Sequence, residues 1–315
     1  MGHPRVAVII PNWNGARLLR PCLASLAQQT YRDAEVIVVD NGSTDDSLAM
    51  VRGEFPTVRT LALATNGGYT GGCNAGIRAS TAEIVVLLNN DTEVEPDWLA
   101  NLVAALDRHP EAGMATSRIM LYDQRDTLNA AGDLYRCDGT PDSRGVWQRY
   151  GPPYDQECLV FGGSGGALAL RRAMLDEIGL FEERFFMYCE DVDLSWRAQL
   201  AGYRCVYVPD AVIYHHLSAT GGGALASYYV GRNTLWTVAR NYPPPLLRRN
   251  WPAIARAQLR IAWQALRAVR SAPARARLRG QWAGLCTMHR WRAHRRALWN
   301  QARVDASYIV AILDR

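Results

Sequence analysis

Glu190-Asp191-Val192-Asp193 puts three carboxylates where a helical pattern begins. The free amide groups and positive dipole end of a helix start stabilise such charges. Three acids so close together also repel one another, and a carboxylate with raised proton affinity in a cleft is a natural general base. Asp191 can alternatively act as a plain helix cap. Farther along, His215 and His216 end an apolar run. A histidine there is either a packed residue or, beside a carboxylate, half of a cation site.

Two further clusters carry oxygen donors. LLNNDTEVEPDW delivers Asn89, Asn90, Asp91 and Glu93 just past an apolar run. Oxygen donors with few carboxylates suit Mg²⁺ or Mn²⁺ shared with a diphosphate, although Asn-Asn-Asp is also an ordinary turn. VIVVDNGSTDD places Asp40 at a strand end, where it can accept hydrogen bonds from a nucleoside base or ribose, or cap the turn. The rival dinucleotide-binding reading needs G-x-G-x-x-G after the first strand, where the sequence has PNWNGA. The glycine run NGGYTGGCNAG follows the third strand and does not match that pattern.

Alternating short strands and helices must position these groups. Strands are expected at Arg5 to Ile10, Glu35 to Val39, Val58 to Leu63, Glu83 to Leu88 and Gly113 to Ser117. Helices are expected at Leu18 to Gln29, Ser43 to Phe55 (capped by Ser43 or Thr44), Gly71 to Ser80 and Pro96 to Arg108. This spacing predicts an α/β fold with a mostly parallel sheet flanked by helices, and such sheets bind ligands beyond the carboxyl ends of their strands. The polar clusters follow those ends. Leu121 to Pro153 reads as loops or a small hairpin, and Leu159 to Leu170 as an apolar run with the cluster GGSGGALAL. Helices follow at Arg172 to Ile178 and Glu190 to Ala201, then strands at Cys205 to Val208 and Val212 to Tyr214. From Ala224 the pattern is helical to the end, broken only at Pro243-Pro244-Pro245.

Composition narrows the chemistry. Of 315 residues 49% are apolar and 21% charged, ordinary globular proportions. All 35 basic residues are arginine, which excludes any mechanism needing a lysine ammonium. The seven cysteines are scattered, fitting buried thiols better than disulfides or a zinc knuckle. No apolar stretch is long enough to span a bilayer, and no secretory leader is expected. Residues 245–315 carry fifteen arginines and two acids, Asp305 and Asp314, a balance of +13; residues 1–244 balance at −8. Between Trp251 and Arg270 a helical plot puts Arg256, Arg260 and Arg267 together, opposite Trp251, Ile254, Ala255, Ala262, Leu266 and Val269. That pattern suits an anionic membrane surface or, alternatively, a helix packed on the catalytic domain with solvated arginines; no nucleic-acid module accompanies the charge, and no nucleic-acid partner is expected.

The sequence resembles the family 2 inverting glycosyltransferases of the GT-A fold, especially rhamnosyltransferase-like members. VAVIIPNWNG, VIVVDNGSTDDS, NGGYTGGCNAG, VVLLNNDTEVEPDWL, GGSGGALALRR, FFMYCEDVDLSWR and VYVPDAVIYHHLSAT carry the resemblance, in the family's order. It covers roughly residues 5–240 and implies a catalytic domain over residues 1–242; the helical, arginine-rich extension over 243–315 lies largely outside it. It implies that Pro11, Asn12, Asn14, Asp40, Asn66, Gly67, Asn90 and Asp91 bind the nucleotide sugar, and that Asp191 is the general base. Asp91 takes the last position of the family's D-x-D motif, whose first acid is here Asn89; Glu93 is a supplementary metal ligand. His215, with His216 as fallback, completes the metal site for Mg²⁺ or Mn²⁺. The resemblance places Gly163 and Ser164, with Glu190, at the acceptor pocket; Arg232 is available to clamp phosphates or, alternatively, lies on a plain helix surface.

The implied reaction moves a sugar, rhamnose among the candidates, from a dTDP- or UDP-linked donor to a hydroxyl of a glycan or polyprenyl-diphosphate-linked acceptor. The implied setting is cell-surface polysaccharide synthesis, in the cytoplasm and peripheral on the inner face of the membrane. Two alternatives are a sugar-phosphate nucleotidyltransferase, which usually has a basic glycine-rich loop after strand one, and a non-catalytic carbohydrate-binding protein of the same fold.

Overall fold

A computed structural model describes residues 4–217 and 222–314. The chain begins β1 (Val6–Asn12), α1 (Ala16–Leu26), β2 (Ala34–Asp40), α2 (Ser47–Glu54), β3 (Arg59–Ala62), α3 (Gly68–Ala79), β4 (Ile84–Leu88), β5 (Thr92–Val94) and α4 (Trp98–Arg108). It continues through β6 (Ala112–Leu121), β7 (Leu128–Ala130), β8 (Asp133–Tyr135), β9 (Pro141–Ser143), β10 (Cys158–Val160), β11 (Ala167–Arg171), α5 (Arg172–Ile178), α6 (Glu190–Leu200) and β12 (Arg204–His215). Five helices close it: α7 (Gly223–Asn241), α8 (Pro244–Arg267), α9 (Ala272–Thr287), α10 (Arg292–Asn300) and α11 (Ala306–Ile312).

The main sheet has the order β10-β12-β6-β11-β4-β1-β2-β3. β3, β2, β1 and β4 are parallel neighbours, as are β6 and β12, while β11 runs antiparallel between β4 and β6. Unbroken apolar runs such as Ile84–Leu88 are buried throughout because helices cover both faces. Ile84, Val86 and Leu88 join the core under α1 and α4, whereas Val85 and Leu87 join the core with α3, α5 and α6. A third, aromatic core of Tyr135, Phe161, Phe185, Trp196, Trp236, Tyr242 and Trp291 ties the C-terminal helices to the sheet.

Several elements depart from expectation. Ser43 and Thr44 do not cap α2, which begins at Ser47 with Asp46 at the cap position. Their amides are drawn instead to Asp40 Oδ2 (3.1 Å) and Asn14 Oδ1 (2.8 Å). The two strands expected around 205–214 are one strand, β12, whose register shifts between Val208 and Val212, where Pro209 interrupts the pairing. The irregular middle holds a two-stranded sheet, β8 with β9, and β7 on the edge of β6.

The apolar side expected on α8 is divided between two surroundings. Ile254 is buried in the aromatic core, while Trp251, Leu266 and Val269 are exposed. α9 crosses α7 so closely that a Cβ on Gly280 would lie 2.1 Å from Tyr228 O, and one on Gly231 2.7 Å from Arg277 O. Arg303 N donates to Leu200 O, and Asp314 N to Tyr135 O, fastening the last segment onto the sheet domain. No helix among the described residues is long and apolar enough to cross a membrane.

Candidate functional site

β1, β2 and β4 end side by side and release their polar loops together. Asn12 and Asn90 are both buried and joined by Asn90 Nδ2 to Asn12 Oδ1 at 2.7 Å. Gly15 is required there, since a Cβ would lie 2.3 Å from Asn90 Nδ2. Asn14, at φ 50°, donates its amide to Ser43 Oγ (2.9 Å) and thereby locks the loop after β1 to the loop after β2. Pro11 seats α3, whose Gly72 would otherwise push a Cβ to within 3.1 Å of it. Asp40 does cap the Ser43 turn with one oxygen, yet its Oδ1 is buried with no partner, an acceptor left over for a ligand donor.

Asn66 Oδ1 accepts the Gly68 amide, and the Gly67 amide goes to Asn41 Oδ1 at 2.9 Å. Asn41 also donates to Gly68 O, so a residue outside the expected set clamps this turn. Gly68, at φ 76°, lies against Phe186 O, to which the Thr70 amide also donates. The start of α3 and the segment leading into α6 are thus in direct contact.

Asp91, buried between β4 and β5, faces β12. His215 Nε2 lies 3.3 Å from Asp91 Oδ1, and the His216 amide donates to Asp91 O. His215 Nδ1 is 2.9 Å from Asn129 Oδ1. A carbonyl oxygen only accepts, so Nδ1 carries a proton, and Nε2 is the ring nitrogen turned to the carboxylate. That arrangement suits a positive ion between or beside them. One carboxylate and one oriented imidazole fit a divalent cation that completes its shell with diphosphate oxygens and water.

The other expected ligand does not join. Glu93 Oε1 is turned to His216 Nε2 at 3.6 Å, and His216 is stacked on Tyr122 with ring centroids 3.6 Å apart. Among the described residues no group of three or more His, Cys, Asp or Glu side chains is placed to hold a metal; Glu93 faces His216, and Asp91 faces His215. Ser218, Ala219 and Thr220, at the end of the histidine motif, lie outside the described residues.

The acid cluster of α6 is divided by its surroundings. Asp193 is fully buried, 2.7 Å from Arg240 Nε and 3.0 Å from Arg197 Nε. Burial alone would push its carboxyl up, but the two guanidiniums hold it below the ordinary range. Asp193 is structural. Glu190 is buried with Oε2 unpartnered, and burial plus the Asp191 charge push its carboxyl well up. Burial raises Asp191 as well, against the pull of its amide donors. Its Oδ2 accepts from Gly165 N at 3.0 Å and its Oδ1 from Val192 N at 2.8 Å. Nearby Asp133, on β8, is pushed up to about 8 by burial and by the Asp191 charge.

The glycine cluster joins the two halves. Gly165 N donates to Asp191, while the adjacent Gly166 O accepts the amide of Asn89 at 3.0 Å. Gly163 lets this turn lie on β6, since a Cβ there would sit 2.5 Å from Thr116 Cβ. Ser164 closes the turn by accepting the Ala167 amide on its carbonyl. Asp191 and the Asn89–Asp91 turn therefore hang from neighbouring glycines.

The segment before α6 is strained: Phe186, Tyr188 and Cys189 have φ of 66°, 66° and 63°. Asn233, fully buried on α7, holds it through Nδ2 to Phe185 O, Met187 O and Tyr188 O at 3.0, 2.9 and 2.7 Å. Arg232 proves to be part of the same brace. Its Nη2 donates to Arg184 O and Phe185 O, its Nε to Asn233 Oδ1, and its plane lies 4.1 Å from the Trp236 ring centre. The guanidinium expected on phosphates donates here through Nη2 to two backbone carbonyls and through Nε to Asn233. A cleft of about 640 Å³ opens beside Asn14, Arg17, Asp45, Asp123 and His216.

Comparison with known proteins places this geometry. The family model described as Glycosyl transferase family 2 matches residues 7–179. N-acetylglucosaminyl-diphospho-decaprenol L-rhamnosyltransferase of Mycobacterium tuberculosis is 32% identical over 231 residues, covering 65% of this chain and 74% of that protein. An uncharacterized protein of Sinorhizobium fredii, y4gI, is 32% identical over 237 residues, 70% of this chain but only 25% of its own length. The mannosyltransferase PcManGT of Pyrobaculum calidifontis, solved in complex with GDP-Man and Mn²⁺, has a TM-score of 0.56 at 22% identity. The match covers 99% of this chain and 88% of that one, a likeness of fold.

Proposed function

The chain belongs to glycosyl transferase family 2, and on that premise we propose an inverting, divalent-cation-dependent transfer from a nucleoside-diphosphate sugar to a hydroxyl. Residues 1–242 form the catalytic part and 243–315 an extension that braces it. The observation that carries this reading is the pair of neighbouring glycines, with Asp191 on Gly165 N and the Asn89–Asp91 turn on Gly166 O. Donor and acceptor groups would meet at that turn.

On the donor side, Asp40 Oδ1 accepts from the base or ribose, with Pro11, Asn12, Asn14, Asn66, Gly67 and Asn90 shaping the pocket. Asp91 and His215 would hold the cation, Mg²⁺ or Mn²⁺, which when bound supplies positive charge beside the departing diphosphate. On the acceptor side, the Asp191 carboxylate takes the hydroxyl proton as the acceptor oxygen bonds to the anomeric carbon. The bond from that carbon to the diphosphate oxygen breaks, and the nucleoside diphosphate leaves with the electron pair. The raised proton affinity of Asp191 suits a carboxylate that must take a proton. Buried Glu190, its carboxyl pushed up by burial and by the Asp191 charge, faces the acceptor together with Gly163 and Ser164.

We assign the sugar as rhamnose on a dTDP or UDP carrier, and the acceptor as a polyprenyl-diphosphate-linked glycan of cell-surface polysaccharide. The M. tuberculosis relative, named for transfer onto a decaprenol-linked saccharide, supports this choice. Such an acceptor places the enzyme at the inner face of the cell membrane. A thermal-shift screen of nucleoside diphosphates and nucleotide sugars, with and without Mn²⁺, tests the reading. Stabilisation by a nucleoside diphosphate that grows with Mn²⁺ is expected, and none in either condition would contradict it.

A further inference from the structure

The face of α8 that meets the body is formed by Ile254, Ala257 and Ala265, all buried. Its outer face is as apolar as its inner one. Trp251, Leu259, Trp263 and Leu266 are exposed by 61, 69, 62 and 51%. At about 100° per residue they fill one continuous sector, and Arg256, Arg260 and Arg267 fill the sector beside it. α9 repeats the pattern. Gly280 and Gly284 press onto α7, while Trp282, 70% exposed, points outward on the face that carries exposed Arg275 and Arg279. α8 and α9 are joined by a short turn and tied by Gln281 Nε2 to Gln258 O at 3.1 Å. Among the described ion pairs, the arginines of these two helices make only one, Arg260 to Asp138 at 3.8 Å. No acid occurs between Pro245 and Val304.

A contiguous apolar patch rimmed by charge marks an interaction surface. Three occupants compete, and the residues choose among them. Nucleic acid would use the arginines and stack on a tryptophan, but has no use for the exposed Leu259 and Leu266 between them. A second copy about a two-fold axis would set these arginines against their own kind, with no acid on either side to meet them. An anionic bilayer satisfies both halves: acyl chains and the interfacial zone for Trp and Leu, headgroup phosphates for bidentate guanidinium.

We propose that the outer faces of α8 and α9 are a docking surface for an anionic phospholipid bilayer. Trp251, Leu259, Trp263 and Leu266 enter the headgroup–acyl boundary, and Arg256 and Arg267 pair with lipid phosphates. This deepens the reading of a membrane-held acceptor by naming the face that meets the membrane. It is measured without donor, acceptor or turnover, so either idea can fail alone.

The test is co-sedimentation of the whole protein with phosphatidylglycerol–phosphatidylcholine vesicles and with phosphatidylcholine alone, read with tryptophan emission. Binding at least about tenfold stronger to the anionic vesicles, with a blue shift, is expected. The double variant Trp251→Ser, Trp263→Ser should lose about tenfold or more of that binding. Its melting temperature and nucleoside-diphosphate thermal shift should stay unchanged, because both side chains are exposed. Arg256→Gln with Arg267→Gln should lose binding and flatten its salt dependence. Three results would each overturn the proposal: no preference for anionic vesicles; binding that ignores the tryptophan pair; or a dimer or DNA complex that the same pair dissolves.

Discussion

Asn233 Nδ2, buried on α7, donates to the Tyr188 carbonyl at 2.7 Å. Tyr188 stands two residues before Glu190 and three before Asp191, in a stretch with three left-handed non-glycine residues. Strain of that kind persists only where surrounding structure over-determines it, and here one amide group meets three carbonyls. α7 is itself pressed between this stretch and α9. The C-terminal helices therefore bear on the position of the acid pair.

Asn233→Ala should slow transfer about 10- to 100-fold while leaving KM for the donor near its original value, because misplacing the base affects only the reacting geometry. Unfolding free energy should fall by about 1–3 kcal/mol, the cost of leaving buried carbonyls unpaired. Steady-state kinetics beside chemical denaturation separates the two effects. A change confined to stability would reduce Asn233 to a packing residue.

Asn129 fixes the tautomer of His215, so its role appears in metal affinity rather than in folding. Asn129→Leu and His215→Ala should each weaken Mn²⁺-supported binding of a nucleoside diphosphate by about 10- to 100-fold. Calorimetry with Mn²⁺ and with EDTA checks this, and equal affinity in both conditions would refute a cation at Asp91 and His215.

Asp133 gives a pH signature of fixed sign. Burial and the Asp191 charge push its carboxyl up to about 8, above the value it has in the unfolded chain. The folded state then binds more protons than the unfolded state between about pH 4 and 8, and this group's contribution to stability falls as pH rises through that window. Asp133→Asn should flatten the decline, making the variant relatively more stable at pH 8 than at pH 5. Melting curves across that range decide it, and parallel curves for the two proteins would contradict the assignment.

Much of this arrangement was legible in the sequence because it depends on local patterning. Apolar runs such as Ile84–Leu88 announce strands buried on both faces, and the polar clusters that follow them announce the site. What was hidden is tertiary. Asp193 looks like its neighbour Asp191 until Arg197 and Arg240 close on it from α6 and α7. Arg232 was conspicuous as a charge, whereas the neutral Asn233 beside it holds the strained segment. Asn129 sits in a stretch without periodicity, and only its approach to His215 reveals it. Ser43 fits the helix-cap pattern, but its Oγ accepts the Asn14 amide and α2 starts only at Ser47.

The central claim is that Asp91 and Asp191 serve opposite sides of one reaction, and a paired comparison tests it most directly. Nucleoside-diphosphate affinity with Mn²⁺ and single-turnover sugar transfer are measured on Asp191→Asn and Asp91→Ala. Asp191→Asn should bind within about twofold of the original protein yet transfer about 10²- to 10⁴-fold more slowly. Asp91→Ala should lose binding and transfer together. Undiminished transfer by Asp191→Asn, or undiminished Mn²⁺-dependent binding by Asp91→Ala, would contradict the division of roles.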